Sequence, residues 1–242
     1  PDDASFAKQK QAAAILNSLL AIEPRHPGIA HYMIHAFDYP QLAAYALPAA
    51  RAYSQIAPDS PHALHMPSHI FTRLGLWSDS IASNLASAES GRLLVAKRHP
   101  GAASMDTLHA LDYLEYAYLQ IGDEAAARQI LPEAAAANTF DDSNFAAGYA
   151  LAAIPARFAL ERHDWKAAAQ LELPSASLVW SNFPYVPAIT YFARAIGASR
   201  VGELDRAPER TLVFDNAVQQ GVHVDALRGF RVLQPAKVGQ HA

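Results

Sequence analysis

Alanine-rich and leucine-rich stretches alternate along the chain with short polar breaks that contain proline, glycine or aspartate. Typical stretches are FAKQKQAAAILNSLLAI, QLAAYALPAARAYSQI, SIASNLASAESGRLLVAK and EAAARQILPEAAAA. The breaks read EPRHPG, DYP, APDSP, IGD, NTFDD and ERHD. Alanine, leucine and glutamine favour helix, and runs of β-branched residues are scarce before residue 210. The pattern therefore predicts an all-α chain built from helices of ordinary length.

The helical pattern repeats with a period of 34 residues. AIEPRHPGIAHYMIHAF aligns with QIAPDSPHALHMPSHIF, so that His31 matches His65 and His35 matches His69. That period is typical of tetratricopeptide helix–turn–helix units. A third copy, beginning HALDYLEYAYLQ, is offset by 47 residues, so we expect 13 extra residues in the second unit, within 88–106. In this register Gly75 and Gly122 are the turn glycines between paired helices.

The alignment also predicts the domain organisation. Units are expected near 27–58, 61–100, 108–140 and 149–180, with a partial unit at 186–208. Residues 1–208 would form one repeat domain, and 209–242 an irregular tail outside the pattern. The opening reads as the second helix of a repeat, so we expect a fragment of a longer protein. Pro67 either kinks the first helix of unit two or lies in its first turn.

Four sequence blocks resemble those of a bacterial group of tetratricopeptide-repeat proteins. They are HPGIAHYMIHA (26–36), PHALHMPSHIFTRLGLW (61–77), HALDYLEYAYLQ (109–120) and PARFALERHDW (155–165). The resemblance covers roughly residues 10–205. It implies a right-handed superhelix whose first helices line a concave groove. The implied groove residues are Gly28, His31, His35 and Asp38; His62, His65, His69 and Thr72; His109, Asp112, Tyr116 and Leu119; and Ala150, Ala153, Arg157 and Leu160. The resemblance implies a fold rather than a function.

Two HxxxH pairs predict a metal site without help from the family. Residues four apart on a helix share one face, with Cβ atoms about 5–6 Å apart, which is the spacing of the two zinc-binding histidines in HExxH. The glutamate of that motif is absent, since Tyr32 and Met66 follow the first histidines. Imidazole-rich sites suit Zn, Cu, Ni or Fe, and we expect zinc first. The predicted ligands are His31, His35, His65 and His69.

Further groove residues are assigned supporting roles. Asp112 and His109 are the catalytic candidates, and they could also serve as ligands or fix a ring tautomer. The substrate-binding candidates are His62, Tyr116, Arg157 and Asp38. The expected function is metal binding, and the candidate reaction at such a site is hydrolysis of a small ester, lactone or amide. The alternatives are a non-catalytic scaffold for a partner peptide, with structural histidines, and metal storage or trafficking.

Composition narrows the partners. The 242 residues carry a net charge of −4 without a basic cluster, which argues against nucleic acid. No apolar run approaches the ~18 residues that a membrane span requires. The absence of cysteine excludes disulfides, thiolate catalysis and cysteine-ligated zinc. We therefore expect a soluble protein. The resemblance implies that it is bacterial, in the cytoplasm or periplasm, with a small molecule or peptide in its groove. Its oligomeric state is not predicted.

Overall fold

The all-α prediction is confirmed. The computed structural model describes residues 4–142, 145–174 and 185–202. These ranges are helical and contain no strand; an isolated bridge pairs Ala103 with Phe140. Among the described helices, none has the length and apolar character needed to cross a bilayer. The tail predicted at 209–242 lies outside the described residues, as does the end of the partial unit.

Eleven helices are described. Their bounds are α1 (Ala7–Ile22), α2 (Pro27–Phe37), α3 (Ala43–Ile56), α4 (Pro61–His65), α5 (Pro67–Arg73), α6 (Trp77–Arg98), α7 (Met105–Gln120), α8 (Glu124–Ala136), α9 (Phe145–Glu161), α10 (Trp165–Ala169) and α11 (Tyr185–Val201). The stretches assigned to helices from the sequence lie within α1, α3, α6 and α8, give or take two residues.

Local sequence signals set the helix ends. Pro27 and Pro61 occupy the first positions of α2 and α4, where a missing N–H removes no helical hydrogen bond. The Ser104 hydroxyl caps α7 by accepting from the Thr107 N–H. Gly75 and Gly122 adopt positive φ of 70° and 76° in the predicted turns, a conformation that glycine takes without steric cost.

The first helix of unit two is interrupted at Pro67 rather than started there. α4 begins at Pro61, and Met66 keeps right-handed helical torsions of φ −51° and ψ −36°. The Met66 N–H still donates to the His62 carbonyl at 3.0 Å, whereas Pro67 has no N–H to donate. His65 therefore lies in a helical turn, which keeps it four residues before His69 on a continuous path.

The chain divides into two compact units, each larger than a sequence repeat, with the division between Ile154 and Pro155 inside α9. In the first unit, α2 packs on α3, α6 packs on α5 and α7, and α7 packs on α8. Its core is rich in alanine and includes the fully buried Ile34 and Ile70. In the second unit, α10 packs on α11, where Gly197 allows a close backbone approach.

The extra residues of unit two lengthen its second helix. α6 has 22 residues, whereas the repeat-equivalent α3 has 14. The remaining insertion forms the connection from His99 to Ser104 before α7 begins. α6 packs against α4, α5 and α7, and its Asn84, which precedes the insertion, lies next to His65.

Candidate metal site

Three histidines from three helices converge in the first unit. His65 ends α4, His69 lies on α5, and His109 lies in the first half of α7. One ring nitrogen from each lies within 4.8 Å of the other two. The Nε2 atoms of His65 and His69 are 3.1 Å apart, and the rings of His65 and His109 have centroids 4.2 Å apart. We call these three residues the inner triad.

The tautomer of His65 is fixed by Asn84 of α6. The Asn84 Nδ2 group donates to the Ser80 carbonyl at 2.9 Å, so its Oδ1 must be the atom that faces His65. The His65 Nδ1 atom lies 2.6 Å from this oxygen and therefore carries a proton that it donates. In the neutral ring, Nε2 is consequently a lone-pair nitrogen.

The tautomer of His69 is fixed by Asp38, the residue that follows α2. Burial alone would raise the pKa of Asp38, but the hydrogen bond from His69 and the charge of Arg73 together lower it to about 2. The carboxylate accepts from His69 Nδ1 at 2.9 Å and from Arg73 Nε at 2.8 Å. The hydroxyl of Tyr113 lies 3.2 Å from the same His69 nitrogen. His69 therefore also presents Nε2 as a lone pair when it is neutral.

The two Nε2 atoms thus point lone pairs at each other across 3.1 Å. Two lone pairs at this distance repel unless a proton or a cation lies between them. Two nitrogens on one tetrahedral zinc, each at about 2.0–2.1 Å, are about 3.3 Å apart. The gap therefore fits either one shared proton, as in a histidine hydrogen-bond network, or one metal ion.

The electrostatic environment favours neutral imidazoles. Burial lowers the pKa of His65 well below 6.5, and the neighbouring imidazoles of His109 and His69 lower it further. Burial and His69 lower the pKa of His109 to about 4. Burial raises the pKa of Tyr113, so it remains a phenol at neutral pH. The neutral ring is the form that binds metal, so binding at His65 and His109 requires no proton loss at pH 7.

The other three predicted groove histidines lie beside the inner triad but do not belong to it. The ring centroid of His31 is 4.5 Å from that of His35 and 5.1 Å from that of His62. His35 approaches His69 with 6.3 Å between ring centroids. Of the four predicted ligands, the structure therefore joins His65 and His69 with His109 and leaves His31 and His35 in a neighbouring group with His62.

The remaining predicted site residues have varied surroundings. Asp112 is buried on α7, where its charge opposes the lowering of the His109 pKa. Tyr116 stands edge-on to Trp77 with 5.6 Å between ring centroids. Arg157 lies on α9 in the second unit. Asp38, predicted to bind substrate, accepts hydrogen bonds from His69 and Arg73.

Sequence reasoning missed three residues of the site. Tyr113 is not among the predicted groove residues, although it follows His109 by four positions and so shares its helix face. Arg73 holds the carboxylate that orients His69, and Asn84 orients His65. No sequence signal pairs Asn84 with a histidine, since it is one amide in a helix of serine and alanine.

A separate cavity of about 340 Å³ lies between the end of α6, the following connection and α8. Arg92, Ser104, Thr107, Glu133 and Asn138 are among the residues that line it, and no histidine does. Arg92 and Glu133 pair through two contacts of 2.7 and 2.8 Å, so their charges are mutually compensated. The cavity is therefore not part of the histidine site.

Comparison with known proteins does not indicate a function for this chain. Its own side chains provide the observations: a fixed tautomer at two histidines, a third imidazole within reach, and burial that favours neutral rings. No protein-family model, curated protein or solved structure matches the chain.

Proposed function

We propose that this chain binds a transition metal ion through His65, His69 and His109. Zinc is the ion that we expect first. The observation that carries the proposal is the opposition of two lone-pair Nε2 atoms, each fixed by a different acceptor behind its ring. A divalent cation between these atoms turns their repulsion into two coordinate bonds. His109 supplies the third ligand from the neighbouring helix.

The donor set and its surroundings favour a transition ion. Three imidazoles suit Zn, Cu, Ni or Fe(II), and they disfavour Ca and Mg, which prefer oxygen ligands. Ligating histidines almost always donate their second ring N–H to a carboxylate, a carbonyl or water. Asp38 and Asn84 provide such acceptors for His69 and His65. These acceptors hold the rings in place before an ion arrives, which reduces the cost of ordering them.

Three protein ligands leave the fourth position of a tetrahedral ion open, as in catalytic zinc sites. An ion held in this way polarises a carbonyl and lowers the pKa of a water molecule, which is the chemistry of ester, lactone and amide hydrolysis. Within this proposal Asp112 is the general base, because it is buried on the same helix as His109, three residues on. The Tyr113 phenol is the hydrogen-bond donor to substrate.

The repeat architecture is part of the same proposal. The period of 34 residues, the paired helices of the first unit and the positive-φ turn glycines support a tetratricopeptide-like arrangement. In such an arrangement the first helices of successive units are neighbours. That neighbourhood explains why α4, α5 and α7 contribute ligands to a single site.

The test is elemental analysis of the full chain purified without an affinity tag. We expect bound transition metal in the wild-type protein and the loss of about one equivalent in a His65→Ala/His69→Ala variant. Helical circular dichroism should persist in that variant. His99→Ala removes an exposed histidine outside the cluster and is the matched control.

Two outcomes would contradict the proposal. One is an absence of stoichiometric metal even after incubation with excess zinc; the other is equal metal content in wild type and the double variant. The gap would then hold a proton, and the histidines would form a structural hydrogen-bond network. In that case the scaffold alternative gains support, and pull-down of partner peptides is the next experiment.

A further inference from the structure

The histidines outside the inner triad repeat its composition one unit earlier. His31 and His35 precede His65 and His69 by 34 positions, and His62 precedes His109 by 47. Each set takes two histidines four residues apart from one sequence repeat and one histidine from the start of the next repeat. We call His31, His35 and His62 the outer triad.

The outer triad has similar ring spacings. The HxxxH pair has a centroid separation of 4.5 Å for His31 and His35, against 5.0 Å for the inner pair. The contact with the following unit has 5.1 Å between His31 and His62, against 4.2 Å for its inner counterpart. His31 therefore stands at the centre of its set, as His65 does in the inner triad.

Two of the three ring spacings in the outer triad match what one ion imposes on its imidazole ligands. With a metal–nitrogen distance of about 2.0–2.1 Å and a ring radius of about 1.1 Å, two tetrahedrally bound rings have centroids about 5 Å apart. The His31–His35 and His31–His62 distances both lie within about half an ångström of that value. The ring nitrogens of the outer triad do not all lie within 4.8 Å of one another, as those of the inner triad do, so the exposed His35 and His62 side chains would have to rotate to bind one ion.

The central histidine of each set also has a partner on the second helix of its own sequence repeat. Asn84 on α6 bonds His65 Nδ1, and the Tyr53 hydroxyl on α3 lies 3.5 Å from His31 Nδ1. The tyrosine stands one helical turn further along its helix than the residue that aligns with Asn84. This contact orients the His31 ring, although it is longer than the Asn84 bond.

We propose that His31, His35 and His62 form a second transition-metal site, repeated from the inner triad and more open to solvent. The chemical class of its ion rests on the proposed function of the inner triad. The site binds more weakly and exchanges faster, because His35 and His62 are exposed and their rings are less constrained. Two ions would then bind side by side, linked by the approach of His35 to His69.

The protonation states agree with this role. Burial, together with the neighbouring His35 and His62 imidazoles, lowers the pKa of His31 to about 4. Burial likewise lowers the pKa values of His35 and His62, with a contribution from His69 in each case. At neutral pH all three rings are therefore neutral and able to coordinate.

The experiment is calorimetric titration of metal-free, untagged full chain with zinc. We expect two binding phases that total about two equivalents, the tighter from the inner triad. His31→Ala/His62→Ala should abolish the weaker phase and leave the tighter one. His65→Ala/His69→Ala should abolish the tighter phase, and His99→Ala should leave both. Helical circular dichroism checks that each variant is folded.

The outcomes separate the two proposals. One equivalent that is insensitive to His31→Ala/His62→Ala overturns the outer site and leaves the inner site standing. One equivalent that both double variants abolish indicates a single site shared by both HxxxH pairs, which also overturns the outer site. No binding in any protein overturns both proposals.

Discussion

Asn84 should control zinc affinity although it cannot reach the ion. Its Oδ1 accepts the His65 Nδ1–H at 2.6 Å, and the side chain is fully buried. An Asn84→Leu substitution keeps a similar volume and removes the acceptor. His65 then either buries an N–H without a partner or moves the proton to Nε2, where it blocks coordination.

The size of the effect follows from this geometry. Loss of an orienting partner typically lowers metal affinity 10–100-fold, which corresponds to about 1.4–2.8 kcal/mol. A buried N–H left without an acceptor costs about 1–3 kcal/mol of stability. We therefore expect Asn84→Leu to weaken zinc binding within that range and to lower the melting temperature of the metal-free protein.

Asn84→Asp should separate orientation from stability. The carboxylate still accepts from His65, but it buries a negative charge that only a bound cation compensates. The metal-free protein should therefore lose stability, as Asn84→Leu does, whereas zinc affinity should be retained or increased. Opposite effects on affinity with the same effect on stability would be difficult to explain by a purely structural role.

Zinc calorimetry and metal-free thermal unfolding provide the measurements. Ser87→Ala is the control, because Ser87 is fully buried on the same helix and donates to the Pro61 carbonyl rather than to a histidine. It should lower stability without changing zinc affinity. Equal dissociation constants for wild type and Asn84→Leu, or equal weakening by the Leu and Asp variants, would refute the tautomer argument.

Three further predictions concern pH, the Asp38 carboxylate and helix packing. His109 has a pKa of about 4 in the folded state and about 6.5 when unfolded, so the unfolded state binds protons first as the pH falls. Chemical denaturation should therefore show the free energy of unfolding of the metal-free protein decreasing from about pH 6.5 to pH 4. The expected decrease is roughly 3 kcal/mol for this residue. Asp38→Asn keeps an acceptor for His69 but removes the charge, so calorimetry should show about 10-fold weaker zinc binding; unchanged affinity would exclude an electrostatic contribution. Gly197→Ala should destabilise the chain more than Gly91→Ala in thermal unfolding. The new Cβ at position 197 would clash with the Ala169 backbone nitrogen, whereas the atom nearest to the Gly91 Cβ, at 2.6 Å, belongs to the Thr107 side chain.

Much of the fold could be predicted because its signals are local. Alanine and leucine favour helix wherever they cluster, Gly75 and Gly122 permit the left-handed turns, and prolines mark helix starts and interruptions. His163 follows Pro155 by eight positions, as Gly75 follows Pro67, and it likewise adopts a positive φ, of 56°, at an exposed position. These preferences depend on a few neighbouring residues, so they can be recognised without knowledge of the tertiary structure.

The sequence by itself determined that histidines four residues apart share a helix face, since that follows from 3.6 residues per turn. It did not determine which histidines come within reach of one another. The HxxxH pairs predict a site of His31, His35, His65 and His69, whereas the structure joins the second pair to His109. Only the tertiary packing decides this, because distances between helices depend on how their side chains interlock. The tautomers at His65 and His69 depend in the same way on Asn84 and Asp38, which reach the rings from other helices and loops.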